Sequence, residues 1–292
     1  GIGKNKIPAP MLAHKYDSSM KQSNSKNLDK LKLKDEYIWI QPKIDGLRCI
    51  AYITKDEVKL YSRKGEEFFG LTHIRNDLKK LIGFEAHEFW LDGELFTDTI
   101  SFNALNGQLR RTTEIIENTA IIYNVFDIVN DKTQKERCEL LQDLNNTYKL
   151  ESIKFLLGDF IFANEEDLKA FHDDYIKTGN EGLMIRVLSG KYENKRSWNL
   201  LKMKEFEDEE FVIIGTEESS RNGELGAFIC LLRDDNATTF NATPKFTIQE
   251  RKEMWQNKSK YIGLKATVEF FGRSEYGIPR FPRVIKINRM DG

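Results

Sequence analysis

The chain lacks several things that would have settled its class at once. No apolar run approaches the roughly 20 residues of a membrane-spanning helix, and the opening "GIGKNKIPAPML" has no apolar core of the kind a signal peptide carries. These absences lead us to expect a soluble protein acting in the cytoplasm or nucleoid, or at a phage or viral replication site, although a chain that opens on Gly1 can have lost an export signal. The three cysteines, Cys49, Cys138 and Cys230, are odd in number and unclustered, which excludes a disulfide framework and a zinc site and predicts buried thiols. Charge of either sign is not in surplus: 45 Lys and Arg stand against 46 Asp and Glu, so any nucleic-acid surface must be a local patch. The four histidines match no site template. Neither G-x-x-x-x-G-K-[ST] nor a G-x-G-x-x-G after a strand occurs, so a nucleotide, if bound, has to be held by side chains rather than by a glycine-rich cradle.

What is present is an alternation of strands and well-capped helices. Strands are expected at 36–41, 48–54, 58–62, 88–96, 120–129, 153–162 and 183–188. Helices are expected over "THIRNDLKKLI", over "TQKERCELLQDLNNTY" with a Thr133/Glu136 capping box, and over "NEEDLKAFHDDYIKTG", which ends at Gly179. "DSSMKQSNSKN" reads as a polar loop. After the acidic "EFEDEE", strands at 211–216, 227–232, 264–271 and 283–287 surround one helix with a second box, Thr247/Glu250. Five short strands' worth of sequence around one helix in about 85 residues is the size of an OB-fold barrel. The expected fold is therefore α+β, with domains at 1–206 and 207–292.

Polar residues gather at strand ends. "KIDGLR" (43–48) interrupts two hydrophobic strands. "LDGEL" sets Asp92 and Glu94 two apart on one strand face, "LLKMK" does the same for Lys202 and Lys204, "YNVFDIV" carries Phe126 within a strand, and "EGLMIR" opens with Glu181. A carboxylate pair, a lysine pair, an aromatic ring and a separate lysine are the parts of a pocket with a stacking end, a ribose end and a phosphate end.

The ordered set K-I-D-G-L-R (43–48), S-R-K-G (62–65), L-D-G-E-L (91–95), Y-N-V-F-D (123–127), E-G-L-M-I-R (181–186) and L-L-K-M-K (200–204) resembles the covalent nucleotidyltransferase superfamily. Within it, the chain is similar to small ATP-dependent DNA ligases of the viral, phage and bacterial kind, and "IPRFPRVIKINR" is similar to their C-terminal OB domain. A lone K-x-D-G is weak; six motifs in order are specific. The resemblance implies an ATP-grasp-like nucleotidyltransferase domain of antiparallel sheets followed by the OB barrel. It also implies sealing of 3′-OH/5′-phosphate nicks in duplex DNA by a monomer using ATP and Mg²⁺ or Mn²⁺.

The same resemblance makes Lys43 the nucleophile that carries AMP. Asp45, Lys202 and Lys204 would assist it. Gln41, Arg48, Glu94, Phe126, Glu181, Met184 and Arg289 would bind ATP, with Asp45, Glu94 and Glu181 on the metal. Ser62, Arg63, Arg280 and Arg283 would meet the nick. Between Lys260 and Arg289, seven basic residues against two acidic ones suit phosphate contact. The chain departs from the pattern in three places. The final R-x-D-K reads Arg289-Met290-Asp291, the short "TEESSRNGELG" leaves no room for a DNA-clasping hairpin, and no helical DNA-binding domain is expected before Pro10. Two rivals remain: an RNA ligase or capping-type nucleotidyltransferase, which GTP labelling would reveal, and a nucleic-acid-binding module with a decayed site.

Overall fold

The computed structural model describes residues 7–16, 36–233 and 238–288, the side chain of Asn103 excepted. Arg289 and the polar loop "DSSMKQSNSKN" lie outside them. In chain order the elements are β1 (Leu12–Lys15), β2 (Tyr37–Lys43), β3 (Leu47–Ile53), β4 (Val58–Ser62), α1 (Thr72–Lys79), β5 (Phe89–Phe96), α2 (Phe102–Leu109), β6 (Ile122–Val129), α3 (Gln134–Thr147), β7 (Ile153–Phe155), β8 (Asp159–Phe162), α4 (Glu165–Lys177), β9 (Gly182–Val187), β10 (Arg196–Lys204), β11 (Glu207–Glu218), β12 (Leu225–Leu231), β13 (Thr239–Pro244), α5 (Ile248–Gln256), β14 (Lys265–Phe270) and β15 (Arg283–Asn288).

The chain divides into two compact units, 1–204 and 205–292. The first holds two five-stranded sheets, ordered β1-β10-β9-β2-β8 and β4-β3-β5-β6-β7. Alternation along the strands decides what each face does. On β2, Ile38 and Ile40 are buried with Ile161, Leu168, Leu183 and Ile185 under α4, while Gln41 reaches toward the second sheet. The second sheet carries the largest core, in which Leu60, Leu91 and Val125 pack with Ile74 and Leu78 of α1 and Cys138, Leu141 and Leu144 of α3. All three cysteines are free and buried. The second unit is a closed barrel, β11-β12-β13-β15-β14, around Phe211, Phe228, Ala242, Val268 and Phe270.

The capping box of α3 forms in both directions, Thr133 Oγ1 accepting from the Glu136 amide and Glu136 from the Thr133 amide. At α5, Thr247 Oγ1 accepts from the Glu250 amide, but the Glu250 carboxylate accepts a hydrogen bond from the Thr247 hydroxyl instead of from the backbone N–H.

Three expectations need correction. The single strand at 153–162 is two strands in different sheets. Leu156 still pairs with Val125, then a tight Leu157 N–H to Phe155 carbonyl turn sends the chain across to β2, where a side chain on Gly158 would strike the Ile40 carbonyl at 1.9 Å. The sheets are not wholly antiparallel: β1/β10, β6/β7 and β13/β15 run parallel. The β6/β7 pair requires a crossover, which α3 supplies. Finally, the acidic "EDEE" is the start of β11, its Glu209 and Glu210 bonded to Arg273 and Asn288.

Candidate active site

Strand register turns scattered motifs into adjacent rows. In the first sheet Gln41, Met184 and Lys202 lie side by side across β2, β9 and β10, and Lys43, Gly182 and Lys204 form the next row. In the second sheet Arg48, Glu94 and Asn124 are aligned across β3, β5 and β6. A cleft of about 770 Å³ opens between the two sheets, a volume suited to a small-molecule ligand. Ten of the expected residues line it: Gln41, Lys43, Asp45, Arg48, Ser62, Arg63, Glu94, Phe126, Met184 and Lys202.

At one side of the cleft Lys43 Nζ donates to Glu181 Oε2 at 3.0 Å, and Lys204 Nζ lies 3.1 Å from the other carboxylate oxygen. The Glu181 amide also donates to the Lys43 carbonyl, which fixes the two residues to each other through backbone as well as side chain. Burial alone would raise the Glu181 pKa, but the two lysines hold it below the ordinary carboxylate value. Lys202 makes no ion pair among the described residues; burial, then the charges of Lys204, Lys43, Arg196 and Lys15, bring it down to about 8.

The turn between β2 and β3 depends on Gly46. A Cβ there would sit 2.1 Å from the Leu95 carbonyl, and its amide donates to Glu94 Oε2 at 3.1 Å. The glycine of "KIDG" thus lets the lysine-bearing turn lie against the strand that carries Glu94. Burial pushes Glu94 up to about 7, against the opposing pull of Arg48 and Lys43. Arg48 is clamped by Asp92 with two bonds of 2.6 Å and also donates to the Met11 carbonyl, while Tyr192 donates to the same carboxylate. With Nε and Nη2 turned to Asp92 and Met11, Arg48 places its guanidinium carbon 5.0 Å from the centre of the Phe126 ring.

Ser62 ends β4 and its hydroxyl accepts the Glu66 amide; Arg63 and Lys64, on the turn that follows, are exposed at the cleft mouth.

Several assignments change. Gln41, expected on ATP, is fully buried: its amide nitrogen donates to the carbonyls of Phe126 and Leu156, and its oxygen accepts from Arg186 at 2.6 Å. Those bonds use both of its N–H groups, so it joins the two sheets. Asp45, Glu94 and Glu181 do not converge: among the described residues no group of three or more His, Cys, Asp or Glu side chains could hold a metal ion. Glu181 faces two lysines instead. In the second unit Arg283 pairs with Glu269 at 3.3 Å, and Arg280 is exposed. Arg273 and Arg283 both serve ion pairs inside the barrel unit, so the basic stretch is only partly available to an outside partner.

The cleft also uses residues the sequence pattern did not mark. Helix α2 lends Asn106 and Leu109, and Arg110 follows at its C-terminus; its Ser101 cap lacks a glutamate three residues on, and Gly107 weakens the helical pattern. Arg186, the last residue of "EGLMIR", lines the cleft as well. Among the described residues no helix is long and apolar enough to cross a membrane.

Comparison with known proteins agrees with this arrangement. A family model described as the ATP dependent DNA ligase domain matches residues 10–204, and one for the DNA ligase OB-like domain matches 219–287. The DNA ligase of African swine fever virus is 30% identical over 263 residues, which cover 84% of this chain and 62% of that protein, so the chain spans under two thirds of that relative's length. In fold, the chain is similar to the ATP-dependent DNA ligase of bacteriophage T7 in complex with ATP, with a TM-score of 0.55 at 17% identity over 96% of this chain and 98% of that one. It is likewise similar to the Chlorella virus DNA ligase-adenylate, with a TM-score of 0.51 at 24% identity over 98% and 100%. With a lysine–carboxylate–lysine cluster beside an aromatic-floored cleft, and with both family models matched in order, the chain belongs to the ATP-dependent DNA ligase family.

Proposed function

We propose that this protein seals 3′-OH/5′-phosphate nicks in duplex DNA, taking AMP from ATP onto Lys43 and passing it to the 5′-phosphate. The observation that carries this is the position of Lys43: the residue lines the cleft, its amine is held by Glu181, and it stands one row from Lys202 on the strand next to Met184. Attack of the neutral amine on the α-phosphorus forms an N–P bond, breaks the bond to the β-phosphate and releases pyrophosphate and a proton. Covalent capture of this kind divides one difficult displacement into easier steps. The 5′-phosphate of the nick then displaces the lysine to form a DNA-adenylate, and the 3′-hydroxyl displaces AMP to close the strand.

The nucleobase stacks on Phe126, with Met184 lining the same cleft, a contact worth roughly 1–3 kcal/mol. Glu94 takes the ribose hydroxyls, and Lys202 with Lys204 meets the charge that develops on the α-phosphate. Arg48, whose Nε and Nη2 hold Asp92 and the Met11 carbonyl, keeps Nη1 for the ribose hydroxyls. Ser62 and Arg63 receive the 5′-phosphate, and the exposed Arg280 adds a backbone contact from the barrel unit.

A divalent metal of the kind the family uses fits this donor set when one or two carboxylates share it with nucleotide phosphates, the usual arrangement for Mg²⁺. Asp45 and Glu181 are the carboxylates that would hold it, and when bound it would screen phosphate charge.

The test is a 5′-labelled nicked duplex incubated with the protein, ATP and Mg²⁺. Sealed product, preceded by a 5′-adenylated strand in a rapid-quench series, supports the proposal; a protein that binds the duplex and forms neither contradicts it.

A further inference from the structure

Behind Phe126 lies a buried polar network that the proposed chemistry does not use directly. Asp127, the next residue on β6, is wholly buried between two arginines: Oδ1 accepts from Arg137 Nε at 2.9 Å and Oδ2 from Arg186 Nη1 at 2.9 Å. Gln134 completes the back of the network, its oxygen accepting from Arg137 at 2.7 Å and from Arg186 at 3.3 Å. On its other side Arg186 donates Nε to Gln41, and Gln41 in turn donates to the Phe126 carbonyl. The Arg186 guanidinium also lies 5.2 Å from the centre of the Phe126 ring.

This network closes a loop between the two sheets. Gln41 is two residues from Lys43 on β2, Arg186 stands on β9 beyond Met184, and Phe126 and Asp127 belong to β6 in the opposite sheet. A planar guanidinium can address the Gln41 amide, the Asp127 carboxylate and the face of an aromatic ring together; an ammonium cannot. Buried ionic groups cost desolvation and are weak evidence for stability alone, so a geometric duty is the better account of this one.

We propose that Arg186 is a positioning residue for the nucleobase, holding the Phe126 wall in register with the strand that presents Lys43. The proposal rests on the reading of the cleft as an ATP site. Its specific consequence is that loss of the fork disturbs the base end of the cleft and leaves the phosphate end intact.

The experiment measures lysyl-adenylate formation from ATP in wild type and Arg186→Lys, with inhibition by adenosine and, separately, by inorganic tripolyphosphate. We expect the adenosine inhibition constant and the KM for ATP to rise about tenfold, the equivalent of one lost base contact. The tripolyphosphate constant should stay within about twofold, because no bond of Arg186 reaches the lysine cluster. Parallel loss of both inhibitors, or of neither, overturns the proposal. If Arg186→Lys does not fold, Gln134→Ala removes one Arg186 acceptor while leaving Asp127, and the same selective loss for adenosine, smaller in size, is expected. Failure of the wild type itself to take label from ATP would overturn the ATP reading instead, a distinguishable result.

Discussion

Lys43 and Glu181, 138 positions apart in sequence, are joined twice, by a side-chain ion pair of 3.0 Å and by the Glu181 amide on the Lys43 carbonyl. The carboxylate also holds Lys204, so a single acidic group keeps two like charges in one place.

That arrangement fixes a pH dependence. The folded Glu181 has a pKa below its ordinary 4.5, so the unfolded chain binds the proton more readily, and the stabilisation is present above that value and fades as pH falls through the lower folded one. Glu181→Gln is expected to melt below wild type at pH 7, with the two curves converging in acid. Thermal melts from pH 7 down to 3 check this; a constant gap across the range contradicts it.

Glu94 behaves in the opposite sense. Its carboxyl is raised to about 7 by burial, so its protonated form favours the fold, and that contribution is full below 4.5 and lost as pH rises through about 7. Glu94→Gln keeps an acceptor for the Gly46 amide and removes the buried charge. The variant should melt above wild type at pH 8 and match it near pH 4, while its adenylation weakens through loss of the ribose contact.

Lys202 stands at about 8 in the free protein, well under its ordinary 10.5. Triphosphate binding restores a favourable environment for the ammonium and raises that value. ATP binding near pH 8.5 is therefore expected to take up protons. Calorimetry in buffers of different ionisation enthalpy measures the uptake; Lys202→Met should abolish it, and a wild type that takes up none would place the phosphates elsewhere.

Gly46→Ala forces a Cβ to within 2.1 Å of the Leu95 carbonyl, so the backbone has to move. We expect about 1–3 kcal/mol of destabilisation, a fall of several degrees in Tm, together with loss of adenylation because the turn after Lys43 is displaced from Glu94. A variant with wild-type melting and activity would show that the close approach is dispensable.

Much of this architecture is legible in the chain because local chemistry and tertiary structure agree. Thr133 and Glu136 mark α3 unaided, and the pairs Asp92/Glu94 and Lys202/Lys204 reveal shared faces through strand periodicity alone. What stays hidden depends on partners distant in sequence. Gln41 reads as a ligand-binding polar residue at a strand end, but the carbonyls of Phe126 and Leu156 claim its amide, and nothing near Gln41 announces them. Arg186 and Asp127 look like ordinary charges on strands until β6 and β9 face each other across the cleft. The break at Gly158 is equally non-local, since the Ile40 carbonyl on a neighbouring strand imposes it. Metal assembly is a further case: Asp45, Glu94 and Glu181 read alike as motif carboxylates, but among the described residues they form no three-carboxylate group that could hold a metal ion by itself.

The central claim is that Lys43 accepts AMP from ATP and hands it to a nicked strand. The most direct measurement incubates wild type and Lys43→Ala with α-labelled ATP or α-labelled GTP and Mg²⁺, separates protein by denaturing electrophoresis, and then chases the labelled protein with nicked duplex. The expected result is label from ATP on wild type only, lost from the protein as the duplex is added and sealed. Label that persists in Lys43→Ala, label from GTP in place of ATP, or no label on the wild type would contradict it.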